Sequence, residues 1–161
     1  MHRKKEFIDI IKQHEGIIYK VSKVYANDKE DQKDLYQEIV YQLWKSVDSF
    51  KGKAKISTWI YRIALNTSIT FLNQQKRKSR QVAVDFELLD GIDDQDSIME
   101  ERIQTLYTHI KGLNIIEKGL ILLFLEGKSY DEIALVTGFT NTNVGTRLGR
   151  IKQKLKDQIK K

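Results

Sequence analysis

No proline interrupts the 161 residues of this chain. Proline lacks a backbone N–H and clashes with the preceding turn, so its absence removes the strongest helix breaker. Helices can then run long, stopped only by glycines and polar caps. The apolar residues repeat to match. In residues 5–25, Phe7, Ile10, Ile11, Ile17, Ile18, Val21 and Val24 fall at spacings near three and four, with Gly16 a mild interruption. The polar stretch 27–31 offers an N-cap to a second helix, 31–46, in which Leu35, Ile39 and Leu43 stack at i, i+4 and i+8. Residues 47–56, with Gly52 and alternating lysines, read as a loop. Ser57 or Thr58 is expected to cap a third helix running to about Lys78.

Apolar periodicity disappears over residues 81–100. It returns in four segments, 98–111, 115–126, 129–137 and about 142–160, with Gly112, Gly127 and Gly138 at their junctions. Strand-like alternation of any length is missing. The expected fold class is all-α: two small helical domains, 1–80 and 101–161, joined by a flexible linker over 81–100.

Composition excludes several kinds of chemistry. Without cysteine there are no disulfides, no thiol catalysis and no cysteine-ligated zinc. The three histidines, His2, His14 and His109, are too dispersed for a His-rich metal site, so no cofactor or metal is expected. The longest apolar run, residues 120–125, falls far short of the roughly 20 residues a membrane span needs. Behind Met1-His2-Arg3-Lys4-Lys5-Glu6 there is no apolar stretch of signal-peptide type. The expectation is a cytoplasmic protein without membrane insertion.

The net charge of +6 hides a block pattern. Residues 51–80 carry eight basic and no acidic side chains, residues 81–101 eight acidic and no basic, and residues 146–161 seven basic and one acidic. A basic block alone is equally well a solvated face. Two such blocks on helices that carry further nucleic-acid features point to phosphate contact.

The second basic block lies in a motif. Residues 129–138 form a short helix ending on glycine, then the turn Phe139-Thr140-Asn141, then a helix whose Val144, Leu148, Ile151, Leu155 and Ile159 form one continuous face. Ala134, Gly138 and Val144 have helix-turn-helix spacing: a small residue for close approach, a glycine for the positive φ of the turn, and a branched apolar residue to bury the second helix. That arrangement would present the start of the second helix to a DNA major groove. Thr142, Asn143, Thr146, Arg147 and Arg150 are the candidate readers, asparagine for adenine and arginine for guanine, while Lys152, Lys154 and Lys156 can take phosphates. Gly145 and Gly149 inside this helix each cost about 1 kcal/mol relative to alanine. Close backbone approach to DNA and simple drift both account for them.

The first basic block accompanies a different face. At 100° per residue, Trp59, Arg62, Asn66, Thr70, Asn73 and Arg77 fall on one side of the third helix, beside an expected core face of Ile60, Ile63, Ala64, Thr67 and Phe71. Stacking groups with cations suit single-stranded or opened DNA; a core role for Trp59 is the plainer reading. On the second helix Asp34, Gln37, Glu38, Tyr41 and Lys45 share another face. Its two carboxylates lack a histidine, cysteine or third acid to complete a catalytic or metal site, so no enzyme is expected. Asp93-Asp94-Gln95-Asp96 has no helical face behind it and is not read as a metal site.

Together these segments resemble the extracytoplasmic-function (ECF) sigma factors of bacterial RNA polymerase, over nearly the whole chain. Asp34-Leu35-Tyr36-Gln37-Glu38-Ile39 resembles the family's polymerase-binding helix of region 2. Ser57-Thr58-Trp59-Ile60-Tyr61-Arg62-Ile63-Ala64-Leu65-Asn66 resembles its promoter-opening signature. Ser129-Tyr130-Asp131-Glu132-Ile133-Ala134 and Asn143-Val144-Gly145-Thr146-Arg147-Leu148-Gly149-Arg150 resemble its region-4 helix-turn-helix. Departures from the pattern lie in the second domain: Leu113 is followed by Asn114 where proline is usual, Asn143 replaces threonine, and Gly145 and Gly149 replace polar residues.

The resemblance implies that domain 1–80 is sigma region 2 and domain 101–161 sigma region 4. Asp34, Gln37, Glu38 and Tyr41 would dock on the clamp of core RNA polymerase. Phe50, Tyr61 and Asn66, with Lys51, Lys53 and Lys55, would line a pocket for a base flipped from the −10 element, Trp59 and Arg62 would support strand separation, and Lys76, Arg77 and Arg80 would hold the backbone. Thr142, Asn143, Thr146, Arg147, Arg150, Lys152 and Lys154 would read the −35 element of promoter DNA while region 4 touches the polymerase flap. A membrane-associated anti-sigma factor is a further partner the family allows. The linker, at most about 70 Å long, matches two promoter elements about two DNA turns apart. The alternative is a helix-turn-helix regulator that binds duplex DNA without being a polymerase subunit.

Overall fold

In the computed structural model the described residues are 2–50, 52, 55–79 and 101–160, with side chains described except at 2, 3, 75–79 and 160. The expected linker, 81–100, lies outside them. The chain divides into two compact units, Met1–Gln75 and Lys76–Lys161. Among the described residues there are seven α-helices and no strand.

The first unit is built from α1 (His2–Tyr25), α2 (Lys29–Ser46), a 3₁₀ turn (Val47–Ser49) and the body of α3 (Ile56–Ser79). The helix α1 is broken at His14, where φ −119° and ψ 17° leave the helical region. The break thus falls two residues before Gly16, where the sequence placed its interruption. Asp28 caps α2, its carboxylate accepting from the Asp31 N–H at 2.8 Å. Such a cap contributes about 1 kcal/mol. Leu35, Ile39 and Leu43 are fully buried against Ile18, Val21 and Val24 of the same core, each worth roughly 1.5–3 kcal/mol in water-excluded apolar surface. Trp44 meets Phe7 edge to face with centroids 5.1 Å apart, which pins the first half of α1 to the end of α2.

Two expectations for α3 are corrected. The helix begins at Ile56, so Ser57 and Thr58 lie in its first turn and neither occupies the cap position. Its buried face is Ile60, Tyr61, Ala64, Leu65 and Ser68, while Ile63, Thr67 and Phe71 are only half-buried. The burial stripe is therefore rotated toward Tyr61 and Leu65. Ser68 satisfies its hydroxyl within the helix, donating to the Ala64 carbonyl at 2.8 Å. The buried Thr58 hydroxyl has no hydrogen-bond partner.

The second unit contains α4 (Glu101–Lys111), α5 (Ile115–Leu125), α6 (Tyr130–Thr137) and α7 (Asn141–Lys160). Residues 98–100 of the expected fourth helix lie outside the described residues. Asn114 and Ser129 each close a capping box, with Glu117 and Glu132 respectively. Asn114 thus supplies with its side chain what a proline at the same point could not: Oδ1 accepts from the Glu117 N–H at 2.8 Å, and its own N–H donates to Glu117 Oε1 at 3.1 Å. Gly127 and Gly138 sit at φ +87° and +86°, a region that L side chains rarely adopt. Around α5, whose residues 119–123 are all buried, pack Ile110, Leu113, Ile133, Val144, Leu148, Ile151 and Leu155. The apolar face of α7 ends at Leu155: Ile159, expected to continue it, is 47% exposed.

Candidate docking and nucleic-acid interfaces

Between α2 and α3 of the first unit runs an open groove of about 770 Å³. Asp34, Gln37, Glu38, Tyr41 and Gln42 line one wall and Asn66, Thr67, Thr70, Phe71 and Gln74 the other. The four residues expected to dock on a protein partner therefore do share one surface. Asp34, Gln37 and Tyr41 are exposed, Glu38 half-exposed. Glu38 Oε2 accepts from Gln42 Nε2 at 2.9 Å, and the Lys45 ammonium stands 5.3 Å from the Tyr41 ring centroid. The groove also holds Asn66, which the sequence had assigned to DNA. Asn66, expected in the flipped-base pocket, thus lines the same open groove as the Asp34 and Glu38 carboxylates. Thr67 and Phe71, expected in the core, and Thr70, expected on the nucleic-acid face, line the groove instead, with Gln74, which carried no signal of its own.

The other first-unit candidates separate into surface and core. Phe50 and Trp59 stack at 5.0 Å between centroids with 34° between planes, both half-buried, at the point where the chain enters α3. Arg62 is exposed one turn on, as are Lys55 and Asn66. Tyr61, by contrast, is 0% exposed. It belongs to the core and presents no surface to a base, a correction to its expected place in the flipped-base pocket; the 100° wheel puts it one position from the buried stripe, which the packing then captures. Lys51, Lys53 and Arg80 lie outside the described residues. Lys76 and Arg77 fall in the last turns of α3, and their side chains lie outside as well.

In the second unit α6, the turn and α7 form a helix-turn-helix. Thr140 starts α7, its Oγ1 accepting from the Asn143 N–H at 3.1 Å, and Asn141 Nδ2 donates to Asp131 Oδ1, fixing the turn to α6. Thr142, Thr146 and Arg150 are exposed, Asn143 and Arg147 half-exposed. Arg147 Nε donates to Asn143 Oδ1 at 3.2 Å, and its guanidinium carbon lies 4.4 Å from the Phe139 centroid. Further along, the lysines engage the protein itself. The Lys152 ammonium sits 3.9 Å from the Phe124 centroid, and Lys154 Nζ pairs with Glu117 Oε2 at 3.0 Å. Burial pushes the Glu117 carboxyl up, but the Asn114 N–H bond and the Lys154 ammonium outweigh it and hold the group below the usual carboxylate range. Lys154 therefore ties α7 to α5, while its side chain stays 47% exposed at the position expected to take a phosphate. A Cβ at Gly145 would lie 3.2 Å from Tyr130 Cε2 of α6, a packing reason for the glycine beside close DNA approach and drift.

Among the described residues, no group of three or more metal-ligating side chains is placed to hold an ion, and no helix is long and apolar enough to cross a membrane.

Two compact helical units, one with an acidic groove and one with a basic helix-turn-helix, define a class of bipartite transcription protein, and comparison with known proteins makes it specific. The family model of Sigma-70 region 2 matches residues 10–78, and that of Sigma-70, region 4 matches residues 104–155. The Escherichia coli K12 protein named ECF RNA polymerase sigma-E factor is 30% identical over 141 residues, 80% of this chain and 74% of the relative. RNA polymerase sigma factor SigV of Bacillus subtilis is 28% identical over 158 residues, 96% of this chain and 91% of the relative. Among solved structures, the sigma factor RpoE in complex with the anti-sigma factor NepR from Bartonella quintana superposes with a TM-score of 0.77 at 18% identity, covering 98% of this chain and 96% of that one. CnrH, in complex with the cytosolic domain of CnrY, gives 0.66 at 19% identity, over 98% and 89%. These structures share the fold. The chain belongs to the ECF RNA polymerase sigma factors, and the match to both regions sets it apart from a free-standing helix-turn-helix regulator.

Proposed function

We propose that this protein recruits core RNA polymerase to a specific set of promoters and opens their −10 element without catalysing a reaction, acting in the cytoplasm. The observation that carries the reading is the α2–α3 groove of the first unit, which gathers Asp34, Gln37, Glu38 and Tyr41 on one accessible wall. This wall docks on the polymerase clamp. Phe50, Trp59 and Arg62, with the lysines of residues 51–55 and the basic residues 76–80, engage the opened −10 strand. Tyr61 supports that surface from the core. Capture of unstacked bases offsets a cost of a few kcal/mol per base. The first three turns of α7, with Thr142, Asn143, Thr146, Arg147 and Arg150, enter the major groove of the −35 element, while region 4 contacts the flap. Residues 1–80, 81–100 and 101–161 serve as region 2, linker and region 4. The two solved structures compared above are complexes, with the anti-sigma factor NepR and with the cytosolic domain of CnrY, which supports a regulatory partner of that kind here.

The test is transcription reconstituted from the full chain and core polymerase on a pool of candidate promoters. Transcripts starting at a common sequence set, absent without the chain, are expected. Failure to redirect initiation from any promoter in the pool overturns the reading.

A further inference from the structure

The start of α7 carries two residues, Asn143 and Arg147, that could each read a base, and the structure does not treat them alike. A long side chain in a helix leans toward the helix N-terminus. Arg147 does so over one turn and ends between two groups that hold it. Its Nε–H donates to Asn143 Oδ1 at 3.2 Å. Its guanidinium carbon lies 4.4 Å from the Phe139 ring centroid, within cation–π range. Phe139 is set in turn by the positive-φ Gly138 before it and by its N–H bond to Thr137 Oγ1 at 3.3 Å. Asn143 is set by the Thr140 cap on its own N–H at 3.1 Å. The hydrogen bond occupies Nε, so the two terminal amino groups are the donors that remain as a fork.

Each base edge requires a particular fork. Arginine pairs with guanine by offering two N–H donors to O6 and N7, whereas asparagine pairs with adenine by offering one donor and one acceptor. Holding Nε and seating the guanidinium by the Phe139 ring leaves an end-on pair of donors with little rotamer freedom to lose on binding. It also engages the Asn143 oxygen, which is the acceptor that adenine would need.

We propose that Arg147 reads a guanine in the −35 element end-on, and that Phe139 and Asn143 are positioning residues for it rather than base readers. The inference rests on the reading of α7 as the −35 recognition helix. It assigns a role to Phe139, which the sequence marked only as turn, and it withdraws Asn143 from adenine recognition.

The experiment uses holoenzyme reconstituted from the full chain and core polymerase, acting on promoters whose upstream element is randomised, with transcripts sequenced to give a preference at each position. The unsubstituted chain should favour guanine at one position by about 5- to 150-fold. Arg147→Ala and Arg147→Lys should both abolish that preference, lysine because it restores the charge without the planar fork. Phe139→Leu and Asn143→Ala should leave guanine favoured but reduce the ratio roughly 3- to 10-fold, with other positions unmoved. Phe139→Tyr should retain the full ratio. Promoter-specific transcription with no guanine preference, an unchanged ratio in either Arg147 variant, or an adenine preference lost on Asn143→Ala overturns the inference alone. No promoter-specific transcription by the unsubstituted holoenzyme overturns the underlying reading.

Discussion

Tyr130 covers Gly145 so closely that a Cβ on the glycine would lie 3.2 Å from ring carbon Cε2. The first helix of the helix-turn-helix thus reaches the second through a side chain packed on backbone. Gly149, one turn further on, has open space around its Cα. The two glycines should respond differently to alanine. Gly149→Ala is expected to stabilise the second unit by roughly 0.5–1 kcal/mol, the helix propensity gain. Gly145→Ala should gain less, and should recover the full increment in a Tyr130→Ala background. Thermal unfolding followed by far-ultraviolet circular dichroism measures this, since both tryptophans, Trp44 and Trp59, lie in the first unit.

Glu117 joins three pieces: it closes the capping box with Asn114 and pairs with Lys154 of α7. Its carboxyl is held below the ordinary range, so its contribution to stability is complete above about pH 4.3, the usual glutamate pKa. The contribution is lost as pH falls through the lower folded value. Glu117→Gln should therefore lower stability at neutral pH and flatten the acid limb of the second unit's stability curve. Chemical unfolding at a series of pH values between about 5 and 3 reads the slope; equal slopes in the two proteins would sink this assignment.

Thr58 buries a hydroxyl with no hydrogen-bond partner at the start of α3. An unmet buried polar group costs about 1–3 kcal/mol. Thr58→Val keeps the shape and removes the hydroxyl, so it should stabilise the first unit by about 1 kcal/mol. Tryptophan fluorescence during urea unfolding reports this unit, and a rightward midpoint shift with an unchanged slope is the expected outcome.

The α2 wall of the groove makes a charge-dependent prediction. Reversing Asp34 and Glu38 together to lysine should weaken binding of the full chain to core polymerase at least tenfold, while leaving the buried Leu35, Ile39 and Leu43 of the opposite face undisturbed. Titration of fluorescently labelled chain with core polymerase checks it, with the melting curve as a control. An unaltered affinity would move the docking surface elsewhere.

Much of the architecture was legible because helical periodicity is local. The faces Leu35–Ile39–Leu43 and Val144–Leu148–Ile151–Leu155 could be counted off the chain, and both are buried. Caps were less so. Ser57 and Thr58 have the chemistry of N-caps, yet α3 starts at Ile56, and the Trp59 N–H donates to the Lys55 carbonyl at 3.1 Å. Of the candidate site, the α2 face and the start of α7 were readable as exposed stripes. The placing of Phe71 in the groove, the Phe139 contact with Arg147 and the Lys154–Glu117 pair were not, since each joins segments whose separation only packing closes.

The sequence by itself determined the helical class, the order of the elements and the charge blocks. Those follow from spacing, from the lack of proline, and from the ionised side chains, none of which needs a partner in space. The tertiary structure alone decided which of the charged and aromatic candidates are available. It sank Tyr61 into the core, paired Lys154 with Glu117 at the surface, laid Tyr130 on Gly145 and set Arg147 between Asn143 and Phe139. The physical reason is that a side chain's exposure and hydrogen bonds depend on contacts between helices. A helical wheel fixes direction around one axis and says nothing of what stands opposite.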